Sequence, residues 1–102
     1  MIIPEELKKI AEHYGYEKQS NQLIEECAEL IQAVSKYRRC KEHEGTVKEC
    51  IALYNLLEEI ADVEVMLEQI KHLLQLPEAD IRAIKICKIL RTKERIAGSK
   101  GE

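Results

Sequence analysis

With 102 residues the chain is sized for one domain near the lower end of the ordinary range, and its core must be aliphatic, since it has no Trp or Phe and only four Tyr. Its 16 basic side chains nearly balance 19 acidic ones, which excludes a global field of the kind that draws a protein to nucleic acid polymers or anionic membranes. No apolar run approaches the ~20 residues of a bilayer span, and Met1 to Ile10 lacks the segments of a secretion signal, the pattern expected of a cytoplasmic protein without membrane partners.

The apolar residues recur at helical rather than alternating spacing, which predicts an all-α chain. Residues 4 to 14 open with Pro4, Glu5 and Glu6 and stop before Gly15, which predicts a short first helix. A second helix is expected from Gln19 to Lys41, with Leu23, Ile24, Cys27, Leu30, Ile31 and Val34 on one face. Its exit is the polar segment Lys41 to Gly45. Thr46 and Glu49 stand at the spacing of a capping box, and the apolar pattern that follows runs to about Leu76. At about 1.5 Å per residue this third helix extends roughly 45 Å. Its apolar residues cover well over half its circumference, more than one partner helix buries, so a homodimer or homotetramer is expected. Pro77 restarts a fourth helix through Ile81, Ile84, Ile89 and Leu90. The whole reads as one four-helix bundle-like domain over residues 1 to 97, with a loose tail at 98 to 102.

Cys27, Cys40, Cys50 and Cys87 form no C-x-x-C pair, and Cys27 falls on the apolar face, so buried reduced thiols are expected. A bridge from Cys40 to Cys50 across the turn is the alternative, disfavoured in a reducing compartment. None of the three histidines stands near a Cys pair at zinc-finger spacing.

Among all the acids, only Glu26 with Glu29 and Glu59 with Asp62 are spaced three apart. Chance alone supplies about three or four such pairs at this composition, so placement carries the signal. On the third helix, at about 100° per residue, Glu59 lands between Met66 and Ile70 inside the apolar arc, and Asp62 lies at its edge beside Leu73. An ionised carboxylate there faces protein and needs a cation or a proton. On the second helix Gln22, Glu26, Glu29, Ala33 and Lys36 form one polar stripe flanking the apolar face, and small Ala33 permits close approach. A short connection makes the two helices antiparallel neighbours, so the pairs can meet. An all-oxygen set without His or Cys suits Mg²⁺, or Mn²⁺, better than zinc. The competing reading, solvated surface acids, fits Glu25 and Glu58 but not Glu59. A di-iron bundle needs Glu-x-x-His, and Ile10, Cys40 and Gln69 stand three before His13, His43 and His72.

E-E-C-A-E-L in the second helix and E-E-I-A-D-V in the third resemble the E-E-x-x-E and E-x-x-D motifs of the MazG-like family, among the all-α nucleoside triphosphate pyrophosphatases. The similarity runs from about Gln19 to Arg95 and includes K-I-L-R-T-K-E-R-I. The resemblance implies that Glu26, Glu29, Glu59 and Asp62 are metal ligands and that a nucleoside triphosphate is hydrolysed to monophosphate and pyrophosphate. Glu26 or Glu29 is then the expected acceptor of the attacking water's proton. Lys88, Arg91 and Arg95 project within roughly 60° of one another on the fourth helix and are candidates for holding phosphates, although cations there also complement the helix dipole. Lys36 is a further phosphate candidate, and Gln22 a candidate for base or ribose. Tyr14, Tyr16, Tyr37 and Tyr54 have the chemistry to stack on a base, but packing is the commoner role. Two alternatives are a phosphoribosyl-ATP pyrophosphohydrolase with the same metal motif, and a helical module that binds nucleotide or protein without turnover.

Overall fold

The computed structural model describes residues 4–43 and 45–99. Three long helices account for it: α1 (Glu5–Cys40), α2 (Val47–Leu74) and α3 (Glu78–Ser99), with a 3₁₀ turn at Lys41–His43 between the first two. The chain is all-helical across these residues, and none of its helices is long and apolar enough to cross a membrane.

The two expected N-terminal helices are the two segments of α1, which meet at a break at Gly15, where φ is 84° and ψ 168°, outside the helical range. That backbone conformation is open essentially to glycine alone, which is why the bend falls there. Helix resumes directly after it, so the second segment begins before Gln19. The Pro4 carbonyl starts α1 by accepting the N–H groups of Leu7 (3.0 Å) and Lys8 (3.2 Å).

Thr46 caps α2 as its spacing predicts: its hydroxyl accepts the Glu49 N–H at 3.2 Å, while Glu49 Oε1 reaches back to the Gly45 N–H at 3.3 Å. The helix ends earlier than Leu76. Gln75 turns left-handed (φ 51°, ψ 46°), its N–H donates to the His72 carbonyl, and the Leu76 N–H donates to Lys71 at 2.9 Å. Pro77 then opens α3, accepting the N–H groups of Asp80 and Ile81. Lys71 spans this corner, 3.1 Å from Glu68 and 3.4 Å from Glu78. Gly98 and Ser99, expected in the loose tail, are the last turn of α3; residues 100–102 lie outside the described residues.

The α1 and α2 helices run antiparallel and pack along each other, while α3 packs along neither. The described chain is therefore a helix pair plus a detached helix, not a four-helix bundle closed within one chain. The core of the pair is thin, made of Ala11, Ala33, Ala52, Val63 and Met66, and α3 buries nothing. Within the pair two amides are buried: Gln19 Nε2 donates to Gln69 Oε1 at 2.7 Å, and Gln69 Nε2 points at the Met66 sulfur at 3.5 Å. At the same end His72 Nε2 lies 2.9 Å from Glu12 Oε1.

The surface left uncovered is large. The accessible area is 8238 Å², whereas a compact chain of 11.8 kDa exposes roughly 5900 Å². The radius of gyration is 17.7 Å, against roughly 13 Å for a compact domain of this length. Ile84, Ile89 and Ile96 on α3, and Ile51, Leu57 and Ile60 on α2, are all exposed.

Cys27 and Cys40 are half-buried, but Cys50 and Cys87 are exposed, contrary to the expectation of buried thiols; all four are free. The detachment of α3 accounts for Cys87.

Candidate metal centre

Three of the four carboxylates expected to meet lie together, and Asp62 adjoins Glu26 outside that set. One oxygen from each of Glu26, Glu29 and Glu59 lies within 4.8 Å of the others, and the antiparallel packing of α1 on α2 is what joins them. Glu26 and Glu59 are half-buried, while Glu29 and Asp62 sit at the rim. Small Ala33 and Ala52, both buried, allow the two backbones to approach beside the cluster. Glu25 and Glu58 face solvent, as the wheel indicates.

Burial and mutual repulsion both act on these acids. Desolvation, then the charges of Glu29, Asp62 and Glu26, push the Glu59 carboxyl above its ordinary range. Desolvation and the adjoining Glu26 carboxylate, which is within hydrogen-bonding reach, raise Asp62 in the same direction. Gln22 holds one side of the cluster, its Nε2 donating to Glu26 Oε1 at 2.8 Å. The other Glu26 oxygen and one Glu59 oxygen, Oε2 in each case, are shielded from solvent with no donor reaching them among the described residues. Buried acceptors without partners are costly. Two such atoms beside further carboxylates form a set of hard oxygen donors, with no His or Cys ligand, which matches Mg²⁺ or Mn²⁺ chemistry.

The other candidates separate clearly. Lys36 lines an open groove of about 480 Å³ between α1 and α2, together with Arg39, Cys40, Lys48, Ala52 and Asn55. Gln22 borders a second groove of about 480 Å³ beside the Gly15 bend, with Tyr14, Lys18 and Asn21. Lys88, Arg91 and Arg95 are exposed on α3, which packs along neither carboxylate helix, so one chain does not bring them to the cluster. Of the tyrosines, Tyr14 packs edge-on against His13 with ring centres 4.8 Å apart, and Tyr54 lines an apolar groove with Val47 and Ile51. Neither joins the acids.

Arg39, Lys48 and Asn55 were not singled out by sequence reasoning. Their signal is faint but present: counted from Glu59 at about 100° per residue, Lys48 and Asn55 share its face, and Arg39 follows Lys36 by one turn. In comparisons with known proteins, no family model, no curated protein and no solved structure matches the chain.

Proposed function

We propose that this chain is a Mg²⁺-dependent nucleoside triphosphate pyrophosphohydrolase of the MazG-like kind, converting a triphosphate and water to the monophosphate and pyrophosphate. The observation that carries the reading is the pair of solvent-shielded, unpartnered oxygens on Glu26 and Glu59, contributed by two helices and flanked by Glu29. Glu26, Glu29, Glu59 and Asp62 would hold the metal. When bound, Mg²⁺ neutralises phosphate oxygens and polarises water, the two requirements that dominate phosphoryl chemistry. Gln22 fixes the orientation of Glu26. Either Glu26 or Glu29 takes the proton of the water that attacks the α-phosphorus, and Glu29, the more exposed, is the one open to bulk solvent for its release.

A second copy of the chain completes this reading. The surface in excess of a compact monomer is about 2300 Å² per chain, and two copies covering it would bury about 4600 Å², the size of an obligate homodimer interface. An assembly that covers α3 also offers Lys88, Arg91 and Arg95 a route to a neighbour's phosphates. Acting in the cytoplasm on free nucleotides, such an enzyme would clear surplus or non-standard triphosphates.

The test is pyrophosphate release from a panel of nucleoside triphosphates, with phosphoribosyl-ATP included, in Mg²⁺, Mn²⁺ and EDTA. Metal-dependent release from at least one free triphosphate is expected, and Glu59→Gln should abolish it while leaving the helical circular dichroism unchanged. Absence of turnover for every substrate, or full turnover by the variant, overturns the proposal.

A further inference from the structure

The groove on the connector side of the carboxylates has a charge that the acidic cluster does not explain. Lys36, Arg39 and Lys48 project around it from two helices, and Asn55 adds a neutral amide. Ion pairs in the described structure engage Lys8 and Lys71, His72 contacts Glu12, and none of the three groove cations has a carboxylate partner among the described residues. Like charges gathered without counter-charges repel, and an anion relieves that repulsion.

Its position relative to the acids is set by helix geometry. Lys36 follows Glu29 by seven residues and Asn55 precedes Glu59 by four, so the groove begins about 6 to 10 Å from the carboxylates along the same faces. Buried Ala33 lies between on α1, and buried Ala52 lines the groove itself. On the other side of the cluster, Gln22 leads to the groove at the Gly15 bend, where Gln19, Asn21 and Gln22 supply amides and Lys18 and Glu25 bring one charge of each sign.

Resting on the function proposed above, we infer that Lys36, Arg39, Lys48 and Asn55 form the subsite for the terminal phosphates of the substrate. The nucleotide then lies along the α1–α2 seam in one direction, its pyrophosphate end toward the connector and its base toward Gly15. This gives the leaving pyrophosphate a cationic cradle within a single chain, independent of α3.

The experiment is calorimetric titration of the full chain with inorganic pyrophosphate, inorganic phosphate and a nucleoside monophosphate, each in Mg²⁺ and in EDTA. The comparison protein carries Lys36→Gln, Arg39→Gln and Lys48→Gln together, all at exposed positions. Pyrophosphate should bind the wild type in Mg²⁺ and bind the triple variant at least tenfold more weakly, roughly the loss of one charge-assisted hydrogen bond. Monophosphate affinity should not change. A second readout needs no variant: pyrophosphate should slow alkylation of Cys40, which lines the groove, and leave exposed Cys50 unaffected. Equal pyrophosphate affinity of the two proteins, no binding to the wild type in either buffer, binding of phosphate as tight as pyrophosphate, or an unprotected Cys40 would each overturn the subsite. Pyrophosphate binding that needs the three cations, in a protein that hydrolyses no triphosphate, would instead retain the anion site and remove the hydrolase reading.

Discussion

Replacing Ile89 and Ile96 by Glu puts two charges on one face of α3, since residues seven apart differ by only about 20° around a helix. Both isoleucines are about 60 % exposed in the single chain (61 % and 60 %). If a second copy covers them, each contributes roughly 1.5 to 3 kcal/mol of apolar burial to association. In a homodimer both chains lose both side chains, four in all, so about 6 kcal/mol or more is lost and self-association weakens by roughly 10⁴-fold or more, before the added cost of desolvating the glutamates. The helix itself should suffer as well, because 22 residues without tertiary packing are only marginally helical in water. α3 holds about a quarter of the α-helical residues, so a dissociated variant should lose up to that share of its ellipticity at 222 nm. Sedimentation at micromolar concentration, with circular dichroism on the same samples, measures both effects. A wild type that sediments as an 11.8 kDa monomer with α3 fully helical would refute the reasoning, as would a variant that associates like the wild type.

The raised Glu59 and Asp62 carboxyls set a pH dependence. In the window between their unfolded values and their raised folded values the folded chain binds more protons than the unfolded one, so their contribution is fully present at low pH and is lost as pH rises. Metal-free wild type should therefore lose melting temperature with rising pH relative to Glu59→Gln, and Mg²⁺ should restore it to the wild type alone; a difference between the two proteins that grows in the opposite direction would contradict the charge cluster. Gln69→Leu strands the Gln19 amide in the core and should cost about 1 to 3 kcal/mol in urea unfolding, whereas Gln19→Leu with Gln69→Leu should recover most of that loss. Gly15→Ala meets no atom within 4 Å, so its cost is backbone strain alone, about 1 to 3 kcal/mol or a straightened α1 with an altered sedimentation coefficient.

Local signals in the sequence translated well because their physics is local. The Thr46–Glu49 cap, the break at Gly15 and the restart at Pro77 each depend on a few neighbouring residues and appear at those positions. Glu59 was legible for a related reason: a carboxylate within an apolar arc conflicts with its surroundings wherever the helix packs. Three features were not legible. Nothing local to Gln19 or Gln69 marks them as partners, and only the pairing of α1 with α2 reveals them as buried and bonded to each other. The groove cations become neighbours through the same pairing. The placement of α3 escaped because an amphipathic pattern says that a face must be covered but not by which molecule, so Lys88, Arg91 and Arg95, expected to hold phosphates, lie on a helix that does not pack along the carboxylate helices within one chain.

The buried amide pair has a consequence beyond its own hydrogen bond. A seam floored by alanines and lined by interchangeable aliphatics would pack almost as well if one helix slid along the other by a turn, about 5.4 Å. Such a shift would separate Glu59 from Glu26 and Glu29 and dismantle the acidic centre. Gln19 and Gln69 can face each other in only one alignment, and any other leaves both amides dehydrated and unbonded. The pair thus acts as an indexing pin, set at one end of the seam, that holds the carboxylates at the opposite helix's matching turn.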